Sequence, residues 1–213
     1  MGSEPVALKS LALATAGLAA VEGLARWVIA QGWIGPLAAI GLGRILGLVW
    51  MAFIISRGPH GWRRIGLGRG TWAAGLKRGL LWSAGFGSLA VIGYWLLQMA
   101  GLDPLRIIRP GPTVQASGPA LLFLVGGLIA PTAEEFYFRG LMFGYCRRWG
   151  FWPALFLSTV VFAFLHTGAP AAYVPQVVGG LVFAVSYEIE KNLLVPILIH
   201  TLGNSAIFAL SYL

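Results

Sequence analysis

Two adjacent glutamates, Glu134 and Glu135, stand with Arg139 midway along an otherwise uncharged apolar run, LLFLVGGLIAPTAEEFYFRGLMFGY. Ionisable groups inside an apolar span are costly and mark function where they occur. On an α-helix Glu135 and Arg139 are one turn apart on one face and can neutralise each other, whereas Glu134 is rotated by about 100° and points elsewhere. Spacing alone therefore separates a structural pair, Glu135 with Arg139, from an available carboxylate, Glu134. Pro131 interrupts the hydrogen-bond ladder, and Thr132 followed three residues later by Glu135 has capping-box spacing. The helix is expected to kink or restart just before the acids.

His166 closes a second apolar run, VVFAFLHTG, and His200 and Asn204 fall at i, i+4 on one face of a third, LIHTLGNSAIF. Singly, each reads equally well as interhelical glue. Taken together they point further, because a chain with only three histidines and seven acidic residues has put two of each into three apolar runs. One buried site would gather all of them. A carboxylate with two imidazoles can exchange protons with water, relay a proton across a membrane, or bind zinc with water as fourth ligand.

The elements that must position these groups follow from composition. Of 213 residues, 58% are hydrophobic and 10% charged, against about 25% charged in a soluble domain; mean hydropathy is +0.79. An ordinary water-soluble domain is excluded. The apolar blocks approach the roughly 20 residues that a helix needs to cross a bilayer, and they predict an all-α, polytopic bundle of about seven spans at 6–31, 36–55, 79–100, 119–146, 152–167, 173–189 and 193–212. The chain reads as a single integral membrane domain, 1–213, motif-poor over 1–118 and motif-bearing over 119–213. Cys146 is alone, so an internal disulfide and a multi-cysteine metal site are excluded.

The net charge of +8 is a matter of topology and not of nucleic-acid binding, since the basic residues cluster between apolar runs. Arg57, Arg63, Arg64, Arg69, Lys77 and Arg78 flank the link between the second and third spans with no acid among them. By the positive-inside rule that link is cytoplasmic. Alternation then puts Lys9, Arg147, Arg148 and Lys191 on the same side, with Arg106 and Arg109 opposite, the N-terminus inside and the C-terminus outside. Trp33, Trp62, Trp72, Trp149 and Trp152 read as interfacial anchors, and Glu22 with Arg26 as a helical ion pair.

The chemistry-bearing runs resemble the motifs of one family. EEFYFR is similar to its first motif, two glutamates followed after three residues by arginine; Phe162 to His166 to its second, phenylalanine, three residues and histidine; His200 to Asn204 to its third, histidine, three residues and asparagine. This is the CAAX-protease and bacteriocin-processing (CPBP, Abi) family of intramembrane endopeptidases, which includes the Ras-converting CAAX prenyl protease. The resemblance implies hydrolysis of a peptide bond in a membrane-associated protein or peptide. It assigns Glu134 and His166 to positioning and deprotonating water and His200 with Asn204 to the oxyanion, with Glu135, Arg139 and Phe162 as support. The substrate expected is a membrane-anchored protein or peptide, with the lipid bilayer as the other partner.

On that reading no cofactor is needed, and zinc held by Glu134, His166 and His200 is the alternative. No HExxH is present, and Asn204 suits an amide donor better than a zinc ligand. A proton-coupled transporter is a further alternative, although its internal repeats are missing. A catalytically dead scaffold is disfavoured by the intact Glu134, His166, His200 and Asn204. Arginine outnumbers lysine twelve to three, a GC-rich bias pointing to a bacterial cytoplasmic membrane.

Overall fold

The structure, a computed structural model, describes residues 5–104, 117–166 and 173–212. Arg106 and Arg109, assigned above to the opposite loop, lie outside these residues. Among the described residues there are seven helices and no strand: α1 (Leu8–Ala30), α2 (Pro36–Arg57), α3 (Trp72–Met99), α4 (Pro119–Trp149), α5 (Phe151–Leu165), α6 (Tyr173–Glu190) and α7 (Leu194–Ser211). Of these, α1, α2, α3, α4 and α7 are long and apolar enough to cross a membrane. The 15-residue α5 extends only about 22 Å. The fold is the expected all-α polytopic bundle. One boundary differs appreciably, because α3 begins at Trp72 rather than at 79, so that Lys77 and Arg78 ride on its first two turns.

The basic segments meet at one end of the bundle. Arg64 donates to the Pro5 carbonyl and Arg148 to that of Val6. Leu193 N–H donates to the Ile65 carbonyl at 3.2 Å, and Asn192 Nδ2 to that of Thr71 at 2.9 Å. The link after α2 is therefore tied to the bundle, while Pro59, His60, Arg63 and Arg69 stay exposed. Its short 3-10 turn, Gly61–Ile65, buries Ile65 in the core with Val6, Met51, Phe143 and Leu193.

The central element is α4, which packs against α2, α5 and α7. About 44% of its most apolar stretch is buried, against none of that of α3. It neither breaks nor restarts at Pro131. The helix widens into π-helical turns over Phe123–Ile129 and Phe136–Phe143, flanking the α-helical Ala130–Glu135. Thr132 forms no capping box: its hydroxyl donates to the Leu128 carbonyl one turn back at 2.7 Å. A wider turn absorbs the proline because the carbonyl that its ring would clash with is displaced from the α-helical register.

Candidate active site

Glu134 and Glu135 leave α4 on different faces, as their offset requires. Glu135 and Arg139 are fully buried and joined at 3.0 Å. Arg139 Nη2 also donates to the Gly180 carbonyl of α6 at 3.1 Å. The guanidinium lies against the faces of Phe162 and Phe183, at 4.8 and 5.2 Å from the ring centroids. An ionised pair survives in this apolar setting because it is closely paired and cushioned by aromatic faces.

Glu134 keeps 15% of its side chain exposed, and both histidines turn toward it. His166, at the C-terminal end of α5, places Nε2 3.3 Å from Glu134 Oε2. His200, on α7, places Nε2 3.8 Å from the same oxygen, beyond hydrogen-bond range. The other ring nitrogens are tied back. His166 Nδ1 lies 2.7 Å from the Phe162 carbonyl, and His200 Nδ1 lies 2.8 Å from Glu135 Oε1. A carbonyl and an arginine-bound carboxylate only accept, so both imidazoles carry hydrogen on Nδ1 and turn Nε2 toward Glu134. Phe162 fixes His166 twice, through its carbonyl and through ring contact at 4.4 Å.

Asn204 sits one turn beyond His200 on α7, and its Nδ2 donates to the Gly126 carbonyl of α4 at 3.0 Å. The reason is Pro131. Where the ladder has widened, the Ala130 N–H reaches back to the Val125 carbonyl. The next donor in that register would be residue 131, which has no N–H. Gly126 is left with a free carbonyl and Asn204 fills it, while its amide retains a second N–H. The structure thus gathers Glu134, His166 and His200 around one carboxylate oxygen and binds Asn204 to the backbone beside them.

Two participants on α6 carry no signal in the motifs. Phe183 stacks on the His200 ring at 4.5 Å and 19°, and Gly180 supplies its carbonyl to Arg139. The small pair Gly179–Gly180 in an apolar run hints at close helix contact, but nothing in the pattern names Phe183. Arg44 of α2 is held instead by Glu22, 3.5 Å from its Nη1, which also holds Arg26 at 3.1 Å.

The donor types around Glu134 are ones that zinc accepts. Among the described residues, however, no three His, Cys, Asp or Glu side chains stand in an arrangement that would hold a metal ion.

Residues 116–206 match the family described as Type II CAAX prenyl endopeptidase Rce1-like. The chain is also 34% identical over 94 residues to the membrane-embedded CAAX protease MroQ of Staphylococcus aureus (strain USA300), an overlap of 40% of this chain and 37% of the relative. The chain thus spans little more than a third of the length of that curated relative. No solved structure gives a significant match. The family match covers EEFYFR, His166 and His200 with Asn204, and over residues 116–206 the chain is similar to the CAAX endopeptidases of that family.

Proposed function

We propose that this protein is an intramembrane endopeptidase that hydrolyses a peptide bond of a membrane-associated protein or peptide with water activated by Glu134 and His166. The observation that carries this reading is the convergence of two Nε2 atoms on Glu134 Oε2, at 3.3 and 3.8 Å, with each Nδ1 tied to an acceptor. A carboxylate with an imidazole whose tautomer is fixed is a competent proton acceptor for water. The water oxygen adds to the scissile carbonyl, its proton passes to Glu134 and His166, and the same proton is returned to the departing amine. Carbonyl charge that develops in the addition is met by the second N–H of Asn204, and by His200 once its Nε2 also carries hydrogen, since Nδ1 is already committed to Glu135. Preorganised donors in a water-poor cavity stabilise such charge well, about 2.7 to 4 kcal/mol each where measured.

Glu135 and Arg139 position His200, and Phe162 positions His166. The orientation proposed has the basic end of the bundle, and with it the N-terminus, on the cytoplasmic side of a bacterial membrane. The test compares the membrane peptides and trimmed protein termini of cells making the wild type with those of cells making Glu134→Gln, followed by cleavage of the best candidate with purified protein. Termini that depend on the wild type and vanish with Glu134→Gln are expected. Identical termini in both would overturn the assignment.

A further inference from the structure

A groove of about 510 Å³ runs along the outside of the bundle between α3 and α6. Leu81, Gly85, Phe86 and Leu89 of α3 and Val182 of α6 line it. These α3 positions repeat at helical spacing, and from Arg78 at the groove's mouth to Leu89 they cover about 16 Å along the axis. That is close to one leaflet of a hydrocarbon core about 30 Å thick. The gap itself is made by Gly85, where a Cβ would meet no atom within 4 Å. Leu81 and Leu89 are 63% and 68% exposed, so none of the described residues covers the groove.

The mouth has a different chemistry. Glu190 at the end of α6 accepts from Arg78 with one oxygen and from the Trp82 indole with the other, the latter at 3.0 Å. This grip aims the guanidinium of a side chain that remains 55% exposed, with the exposed Lys77 beside it. Both stand at the basic end of the bundle, at headgroup level. Arginine presents a planar fork that matches phosphate oxygens, and basic pockets between spanning helices on the cytoplasmic side suit anionic headgroups.

We infer that this groove holds one acyl chain of an anionic phospholipid from the adjoining leaflet, with the lipid phosphate on Arg78. The inner wall of the groove is also the outer wall of the site. Trp82, Phe86 and Val182 pack against the cluster of Phe138, Phe162 and Phe183, and Phe183 stacks on His200. A chain lying in the groove therefore braces the aromatic layer that orients the histidine.

The test uses the purified full chain in detergent, with phosphatidylglycerol or phosphatidylcholine of the same acyl chains added. Melting temperature and the lipid retained in native mass spectrometry are the readouts. Phosphatidylglycerol should raise the melting temperature and be retained one per chain, and phosphatidylcholine should do neither. In Arg78→Gln, which removes the charge-assisted contact, retention should fall roughly fivefold. In Gly85→Leu, whose Cβ meets no atom within 4 Å and whose side chain occupies the gap, retention should be lost while the lipid-free protein melts near the wild type. Equal effects of the two lipids, or undiminished phosphatidylglycerol retention in both variants, would overturn the inference. So would a dimer dispersed by Gly85→Leu, which would give the groove to a second copy. None of these readouts depends on proteolysis.

Discussion

His200 turns Nδ1 to within 2.8 Å of Oε1 of Glu135, the same oxygen that Arg139 reaches at 3.0 Å. The pair that spacing marks as a structural neutralisation is thereby one hydrogen bond from His200, whose other ring nitrogen faces the carboxylate at the centre of the site at 3.8 Å. Glu135 does two jobs with one atom: it neutralises a buried guanidinium and sets which nitrogen of His200 carries hydrogen.

Glu135→Gln should therefore lower stability and activity together. The amide keeps the shape but leaves Arg139 buried without a counter-charge, a loss of about 3 to 5 kcal/mol. The melting temperature in detergent should fall clearly, whereas Glu134→Gln, which replaces a partly exposed carboxylate, should melt like the wild type. A Glu135→Gln protein with an unchanged melting curve would show that the pair does not carry the fold.

Asn204 is expected to act at two places, and a double substitution separates them. Asn204→Ala orphans the Gly126 carbonyl, at about 1 to 3 kcal/mol, and removes a proposed oxyanion donor, lowering turnover roughly 100-fold to 1000-fold. Pro131→Ala restores a backbone N–H that can serve Gly126. The Asn204→Ala, Pro131→Ala double variant should recover stability but not turnover. Recovery of both would confine Asn204 to the backbone.

The Gly180 position tests how tightly α5 and α6 must approach. A Cβ there would lie 2.9 Å from Thr159 Cγ2 and 3.4 Å from Phe162 Cδ1. Gly180→Ala must part the two helices and draw the carbonyl away from Arg139, at a cost of about 1 to 3 kcal/mol. Gly203→Ala, where a Cβ meets nothing within 4 Å, should be neutral or stabilising by up to about 1 kcal/mol. Thermal unfolding of the two variants side by side checks this, and equal melting temperatures would refute it.

What could be read in advance had a stated period or a scarce residue type. Glu135 with Arg139 was legible because i, i+4 fixes a shared face, and the meeting of Glu134, His166 and His200 because so few ionisable groups sit in so much apolar sequence. The helix order followed from blocks of apolar residues. The π-helical turns of α4 were not legible, since a run apolar on all sides gives no phase by which to tell a wider turn from an α-turn. The apparent capping box failed because the Thr132 hydroxyl finds the Leu128 carbonyl inside its own helix and Glu135 is already taken by Arg139 and His200. Phe183 stayed hidden because an aromatic in an apolar helix looks the same whether it packs on a leucine or on His200.

The remaining prediction separates water activated by carboxylate from water activated by zinc. With carboxylate as base, His166→Ala removes the partner at 3.3 Å that shares the proton, and turnover should fall roughly 100-fold to 10,000-fold. Activity of the wild type should then survive exhaustive treatment with a membrane-permeable chelator. With zinc, the ion polarises the carbonyl and lowers the pKa of its own water, so His166→Ala would act by stripping a ligand and the loss would track metal content. Elemental analysis of active protein decides between them. Protein retaining activity at far less than one metal per chain is the expected result. Stoichiometric zinc, activity lost on chelation and restored by zinc would turn Glu134, His166 and His200 from a proton-handling group into a ligand set.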